Sequence, residues 1–458
     1  VTLHIIKKEE YPMDQKTLKA AYTRFLTENR EALLQDWIDL VRQPSVSDTG
    51  EGVEDCCDMI IRKMEAIGIS VTKHPVKPYP VIEGRYGNDP KKRTVLIYAH
   101  YDVQPVDPIE KWRTPPFEPT ILDGKLYGRG SADNKSPLMA HLEAADFWLR
   151  ETGDIPVNLI FLFEGCEESS SLGLPEFLVE NRERLAADLV FFSDGPKDPS
   201  GLPIIALGAK GMLGVRLTLR TMKKNVHSRY APVLPSAAWQ MVELLGKLKT
   251  GDRVNIPGFY DGITPPSDRE MEILESIPGV EAEMEADYGV RPDCHGRGFY
   301  DQLNNTPTFN ISLLTSGATA GVVPAEASAN IDIRLVAGMD PKRILELLTG
   351  YIQELGYDNV TVECTGAVEP SKTDVNTPWL PVIEKSTREI YGKYVIYPCR
   401  PSTAPDYLWT NILKLPAIQV RWSDPDSDNH APNEHLSVEE YIKGIALTIQ
   451  AIGDIAAG

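Results

Sequence analysis

This chain has little that would tie it to a membrane, a nucleic acid or an oxidising compartment. No apolar run approaches the ~20 residues of a bilayer span. Its 47 Lys and Arg against 66 Asp and Glu leave a net charge of −19, so it has no excess of base for nucleic acid or an anionic membrane. The six cysteines include no CxxC pair and no tight framework, which reads as reduced thiols in a cytoplasmic protein. The opening VTLHIIKKEEYP is too charged, and too short in its apolar part, for a secretory signal. It reads as a frayed arm or a start-site artefact ahead of Met13. There is no GxSxG nucleophile elbow, no GxxxxGK[ST] phosphate loop, no internal repeat and no low-complexity segment.

What the chain does have is a set of apolar runs that end in polar clusters. TVLIYAHYDVQP ends with His100 and Asp102, two residues apart and so on one face of a strand. An imidazole beside a carboxylate at a strand end suits a metal ligand and the group that orients it, although alone such a pair is common on surfaces. VNLIFLF runs into EGCEESSS with Glu164, Glu167 and Glu168, and ADLVFF into Ser193, Asp194 and Gly195. Late in the chain PAIQVRW precedes SDPDSDNHAPNEH, with His430 and His435. Between the first two runs, GRGSADNKSP places Asp133 just ahead of a helical stripe from Leu138. Near-continuous apolar strands separated by helical patterns predict an α/β fold, a mostly parallel sheet with helices on both faces. Ligands of such sheets bind at the carboxyl ends of the strands, where these residues fall. Helices are expected over Thr17–Val41 and Glu54–Ile67, with two short strands between Ile69 and Tyr86.

Between the third and fourth runs the pattern changes to alternation. GMLGVRLTLR, TFNISLL, ASANIDIRLV and NVTVECTG alternate, while SAAWQMVELLGKLK and PKRILELLTGYIQELG are helical. The order βαββαβ predicts a ferredoxin-like module with extra residues from Thr250 to Asn305. The expected division is a catalytic domain over 1–206, an inserted lid or dimerisation domain over 207–372, and the rest of the catalytic domain over 373–458.

Two histidines and several carboxylates suit two divalent cations, zinc first, with manganese or cobalt as alternatives. Two such metals share a bridging carboxylate and polarise a water into hydroxide, and a nearby free carboxylate takes its proton. Glu167 and Glu168 are adjacent and point apart, so one can ligate while the other acts as base. Spacing does not choose between His430 and His435. Cys166 reads as a packed thiol, and His141, His74, His295 and His4 as structural or surface residues.

HYDVQP, GRGSADNKSP, EGCEESSS, SDG and NHAPNE resemble, in that order, the metal motifs of the co-catalytic zinc peptidase family of carnosine dipeptidases, aminoacylases and glutamate carboxypeptidases. The insertion and VNIPGFYDGI look like the dipeptidase branch. The resemblance implies that His100 and Asp194 bind one metal, Glu168 and His430 the other, and that Asp133 bridges them ahead of a cis peptide. Asp102 would orient His100, and Glu167 would be the general acid/base. It also implies a homodimer through the inserted domain. There His227 of NVHSRY would reach the partner's site to stabilise the oxyanion, and Arg334 of IDIRLV would hold the substrate's carboxylate or carbonyl.

The chain departs from that branch on the substrate side. Asn134 and Ser136 replace the commoner Asp and Gly, and RPSTAPDYLW stands where a GGS tract is usual. Gly321 takes the place of a frequent threonine, and CTGAVEP lacks the usual histidine beside paired glycines. Asp406 reads as a surface residue, or else as a contact for a substrate amine. The expected activity is hydrolysis of an amide in a dipeptide or a similarly small carboxylate-bearing substrate. An aminoacylase or specialised amidase is the alternative, and a catalytically silent binding homologue the rival outside enzymes.

Overall fold

The structure is a computed structural model that describes residues 14–317 and 319–458, so the opening VTLHIIKKEEYP, with His4, and Met13 lie outside the described residues. The chain forms two compact units. The first holds the residues up to Leu207, Thr373–Tyr397 and Leu408–Gly458, and the second Gly208–Lys372 with Pro398–Tyr407.

The first unit is built on an eight-stranded sheet. Its centre is four parallel neighbours, Asn158–Glu164, Thr94–His100, Leu189–Phe192 and Ala417–Arg421, while antiparallel pairs lie towards its edges. Every residue of Asn158–Glu164 and of Leu189–Phe192 is buried, as a strand covered on both faces requires. Phe161, Leu162 and Phe163 each add about 1.5–3 kcal/mol by leaving water. Register sets up the chemistry, because His100 lies opposite Glu164 and Tyr98 opposite Phe192. Two strands therefore stop level and the third two residues short of them, and the loops after them emerge side by side.

Helix Lys135–Thr152 packs on Thr94–His100, and Val438–Ala457 packs on that helix and on Trp379–Tyr391. Lys135–Thr152 is buried almost throughout, and within it His141 pairs with the Thr448 hydroxyl at 3.0 Å. The helical stretch expected over Thr17–Val41 is two helices, Gln15–Glu28 and Arg30–Arg42, because Asn29 interrupts it and caps the first with its side chain on the Phe25 carbonyl. No helix among the described residues is long and apolar enough to cross a membrane.

The second unit carries a four-stranded antiparallel sheet in the order Asn310–Ser316, Glu326–Leu335, Gly211–Arg220, Val360–Val368. With helices Ala237–Leu248 and Pro341–Glu354 this is the ferredoxin-like βαββαβ arrangement. Burial alternates along Gly211–Arg220 and Glu326–Leu335, as in a sheet with one face packed. That face meets both helices around Leu217, Ile331, Met241, Leu244 and Leu348. The extra stretch after the first helix forms Asp268–Ser276, Glu281–Tyr288 and Phe299–Asn305, the first started by a Ser267–Glu270 capping box.

Pro398–Tyr407 joins this unit through Arg400, which accepts from the Lys210 N–H at 3.0 Å and donates its own N–H to the Gly208 carbonyl at 2.8 Å. Asp406 departs from the expectation for it. It is not a surface residue but is buried, with both carboxylate oxygens accepting from Arg400 Nη2 at 2.8 Å.

Candidate active site

The loops that leave the central strands hold the chemistry. His100 ends its strand fully buried, with Nδ1 3.1 Å from the Asp102 carbonyl and 3.4 Å from Asp102 Oδ1. An Nδ1–H directed there leaves the Nε2 lone pair as the ligand atom. Asp102 does more than orient that ring. Its Oδ1 accepts from the Glu167 N–H at 3.1 Å and its Oδ2 from the Glu168 N–H at 3.0 Å. One buried carboxylate thus fixes the imidazole and the turn Glu167–Ser169 together.

Asp133 lies in the loop ahead of helix Lys135–Thr152, and its peptide bond to Asn134 is cis. Glu434 holds that loop, taking hydrogen bonds from Arg129 Nη1 at 2.7 Å and the N–H groups of Gly130, Ala132 and Asp133 at 2.8, 2.9 and 3.0 Å. Asp133 Oδ1 is then 3.0 Å from His100 Nε2, and Oδ2 is 3.2 Å from His430 Nε2. His430 Nε2 is also 3.2 Å from Glu168 Oε2, which accepts from Gln104 Nε2 at 2.8 Å. Ligand atoms of His100, Asp133 and Asp194 lie within 4.8 Å of one another, and so do those of Asp133, Glu168 and His430.

The structure thus brings the five ligand candidates together in two groups that share Asp133. Imidazole nitrogens with carboxylate oxygens are donors that borderline divalent cations accept, so these residues fit a metal pair. Glu167 is outside both groups, with Oε2 4.0 Å from His100 Nε2.

The crowding of acids is visible in their protonation. Burial, then the charges of Asp194, Glu168 and Asp133 against that of His100, raises Glu167 well above the usual carboxylate range. Burial and the Asp133 charge push Glu168 up to about 9. Against burial, hydrogen bonds from His100 and His430 hold Asp133 low. Burial also opposes the charge of His100, yet Asp102 and Asp133 raise it well above its ordinary value. Added positive charge between these groups would lower the cost of keeping them ionised.

His435 lies apart from the cluster. Its Nδ1 meets the Asn433 carbonyl at 2.9 Å, its Nε2 meets Lys125 Nζ at 3.1 Å, and its ring packs on Tyr127. Cys166 is buried, and burial takes its thiol up to about 11, far from a nucleophile's range. Sequence reasoning passed over Gln104, Asn429 and Glu434, all of which serve the cluster. Asn429 Nδ2 donates to Asp133 Oδ2 at 3.2 Å. All three lie inside the motifs quoted for the ligands, and an amide or acid so close to a ligand was the available signal.

His227 and Arg334 are in the second unit. His227 ends the two-residue strand Val226–His227, is exposed, and accepts at Nδ1 from the Arg229 N–H at 3.2 Å. Gly321, near its paired strand Val322–Val323, has φ +77°, a backbone region that threonine adopts poorly. Arg334 is on Glu326–Leu335, on the side opposite the packed face.

Imidazole and carboxylate groups gathered in this way at the strand ends of an α/β sheet mark a metal-dependent enzyme. The family model of Peptidase family M20/M25/M40 matches residues 96–454, and the chain belongs to that family. It is similar to the Cys-Gly metallodipeptidase DUG1 of Candida albicans, 28% identical over 392 residues that cover 80% of this chain and 79% of that protein. It is also similar to the Beta-Ala-His dipeptidase of Homo sapiens, 26% identical over 384 residues, 80% of this chain and 76% of that one. Among solved structures, the M20 family metallo-carboxypeptidase Sso-CP2 of Sulfolobus solfataricus matches with a TM-score of 0.83 and 31% identity, over 93% of this chain and 99% of that one.

Proposed function

We propose that this enzyme hydrolyses the amide bond of a dipeptide, or of a similarly small substrate with a free carboxylate, using two divalent cations, zinc first and manganese or cobalt as substitutes. The observation that carries this reading is Asp133, whose two oxygens face His100 and His430 separately and which both ligand groups share. Bound there, a cation pair would supply Lewis acidity to the amide carbonyl and to water. His100 and Asp194 would hold one cation, Glu168 and His430 the other, and Asp133 both.

The remaining steps belong to the chain. Glu167 accepts the proton of the attacking water at a carboxylate oxygen and returns it to the departing amine nitrogen. Asp102 keeps His100 in the tautomer that leaves Nε2 free. His227 of the partner subunit donates to the developing oxyanion, and Arg334 holds the substrate carboxylate.

A homodimer through the inserted unit is part of this reading. The edge strand Asn310–Ser316 is exposed along its whole length and carries Ile311, Leu313 and Leu314 outward, and Trp239 on helix Ala237–Leu248 is 70% exposed. An unpaired strand edge with apolar side chains favours pairing with another copy. A reducing cytoplasm fits six cysteines none of which is paired.

One observation favours a second substrate. Asp406, the sequence's candidate for a substrate amine, is committed to Arg400, which leaves room for an N-acyl amino acid or a non-peptide amide. Glu167 and Asp133 both being present argues against a silent binding homologue. The test is a panel of dipeptides, N-acyl amino acids and simple amides, assayed with zinc or manganese and after chelation. Dipeptide hydrolysis abolished by the chelator and restored by metal is expected. Turnover of N-acyl amino acids alone would move the assignment to the second substrate, and no turnover by the metal-loaded protein would contradict both.

A further inference from the structure

Asn134 follows the shared aspartate and caps helix Lys135–Thr152, yet its side chain makes no bond to the first turn of that helix. An asparagine in that position ordinarily accepts from an N–H of the second or third helical residue. Here the side chain is fully buried, and its Nδ2 donates instead to the Ser193 carbonyl at 2.9 Å, across 59 residues of chain. Its Oδ1 is buried with no donor among the described residues. A forgone cap and an unmet oxygen are costs that packing alone does not impose, since an apolar side chain of that size would carry neither.

Ser193 is where that donor is needed. Strand Leu189–Phe192 pairs with Thr94–His100 and with Ala417–Arg421 only as far as Phe192, so Ser193 lies just past the ladder. It is buried, and a buried carbonyl left unmet carries its full desolvation cost. Asp194 and Gly195 come next. Gly195 has φ +85°, a region that favours glycine, and a Cβ there would lie 2.5 Å from Arg421 Nη2. Lys197 then donates its N–H to the Ser423 carbonyl at 2.9 Å. Asp194 thus stands on a turn fixed after it by Gly195 and Lys197, and before it by the Asn134 amide. Each end of that amide link adjoins a ligand candidate, Asp133 on one side and Asp194 on the other, and both belong to the group with His100. The group of Asp133, Glu168 and His430 contains no residue of this turn, and its Glu168 is held by Asp102 and Gln104.

We infer that Asn134 is a positioning residue for Asp194: its amide joins the loop of the shared aspartate to the turn after strand Leu189–Phe192, and so sets the His100 group in particular. This rests on the two-cation reading of the proposed function. It also gives the asparagine, which stands where the related enzymes more often carry aspartate, a task that needs an N–H donor.

The test is stepwise titration of the metal-free chain with cobalt(II), followed by calorimetry and by the visible absorption that reports each ion's ligand geometry. The wild-type chain should take up two ions. Asn134→Leu keeps the volume and removes the donor. It should weaken one of the two binding steps about 10- to 100-fold, the scale for a group that orients a ligand, and alter the absorption of that step alone. The other step should keep its affinity and spectrum, which a general loosening of the structure would not allow. Asn134→Ala should show the same loss at one site, and it decides if the leucine variant does not fold. In crystals of either variant grown with cobalt, the weakened anomalous peak should be the one beside His100 and Asp194. Two unchanged steps, equal weakening of both, or a loss beside Glu168 and His430 would overturn the inference and leave the metal pair standing. A wild-type chain that takes up fewer than two ions would overturn the metal pair, and this inference with it.

Discussion

The ligand cluster of the first unit and the surroundings of Arg334 in the second are both polar sites, but they are held in opposite ways. In the cluster, two buried carboxylates fix backbone: Asp102 takes the N–H groups of Glu167 and Glu168, and Glu434 those of Gly130, Ala132 and Asp133. The candidate ligands Asp133 and Glu168 stand on loops that are themselves bound on several sides. Around Arg334 the backbone is an ordinary strand, and the side chain is held by the Thr403 hydroxyl of a distant loop and by the Asp332 carboxylate of its own strand. The first design suits a centre that must keep like charges together. The second fixes one side chain and no backbone.

Variants can break this contrast, beginning with the largest effect. Glu167→Gln removes the proton carrier but no ligand, so turnover should fall roughly 10²- to 10⁴-fold while metal content by mass spectrometry is unchanged. Full activity would remove Glu167 from its role. Glu434→Ala leaves Arg129 buried without its partner, so stability should drop by about 3–5 kcal/mol in denaturant titration. Metal affinity should weaken about 10- to 100-fold, since Asp133 loses the group that holds its backbone. Wild-type affinity in a folded Glu434→Ala protein would show that the loop needs no such brace. Thr403→Val, on the other side of the comparison, should cost only about tenfold and only in KM. Smallest in its effect on a single chain is Leu313→Lys on the exposed edge strand. It should weaken self-association in sedimentation while costing the single chain no more than about 0.5 kcal/mol of stability in denaturant titration. An unchanged association state would place the dimer contact elsewhere.

The same contrast explains what could be read from the sequence. The cluster was legible because histidine is scarce, eight in 458 residues, and because each ligand follows a run of apolar residues or opens a helix. Strand ends in a parallel sheet meet in space, so residues separated by hundreds of positions could be grouped by rule. The second unit's strands and helices were legible from alternation for the same reason of period. Less legible were the groups that act through backbone. Glu434 looks like one more acid in an acidic loop, and only its four hydrogen bonds distinguish it. Asp406 was misread as surface because its partner Arg400 lies six residues away in a loop with no periodicity. The contact between Arg334 and Thr403 has no sequence signal, since serine, threonine and arginine are common on any strand or loop.

The proposed chemistry depends on one aspartate shared by two cations. An anomalous difference map from crystals grown with zinc tests it most directly. Two peaks a few ångströms apart on either side of Asp133 are expected, one beside His100 and Asp194 and the other beside Glu168 and His430. A single peak, or peaks that do not flank Asp133, would contradict it.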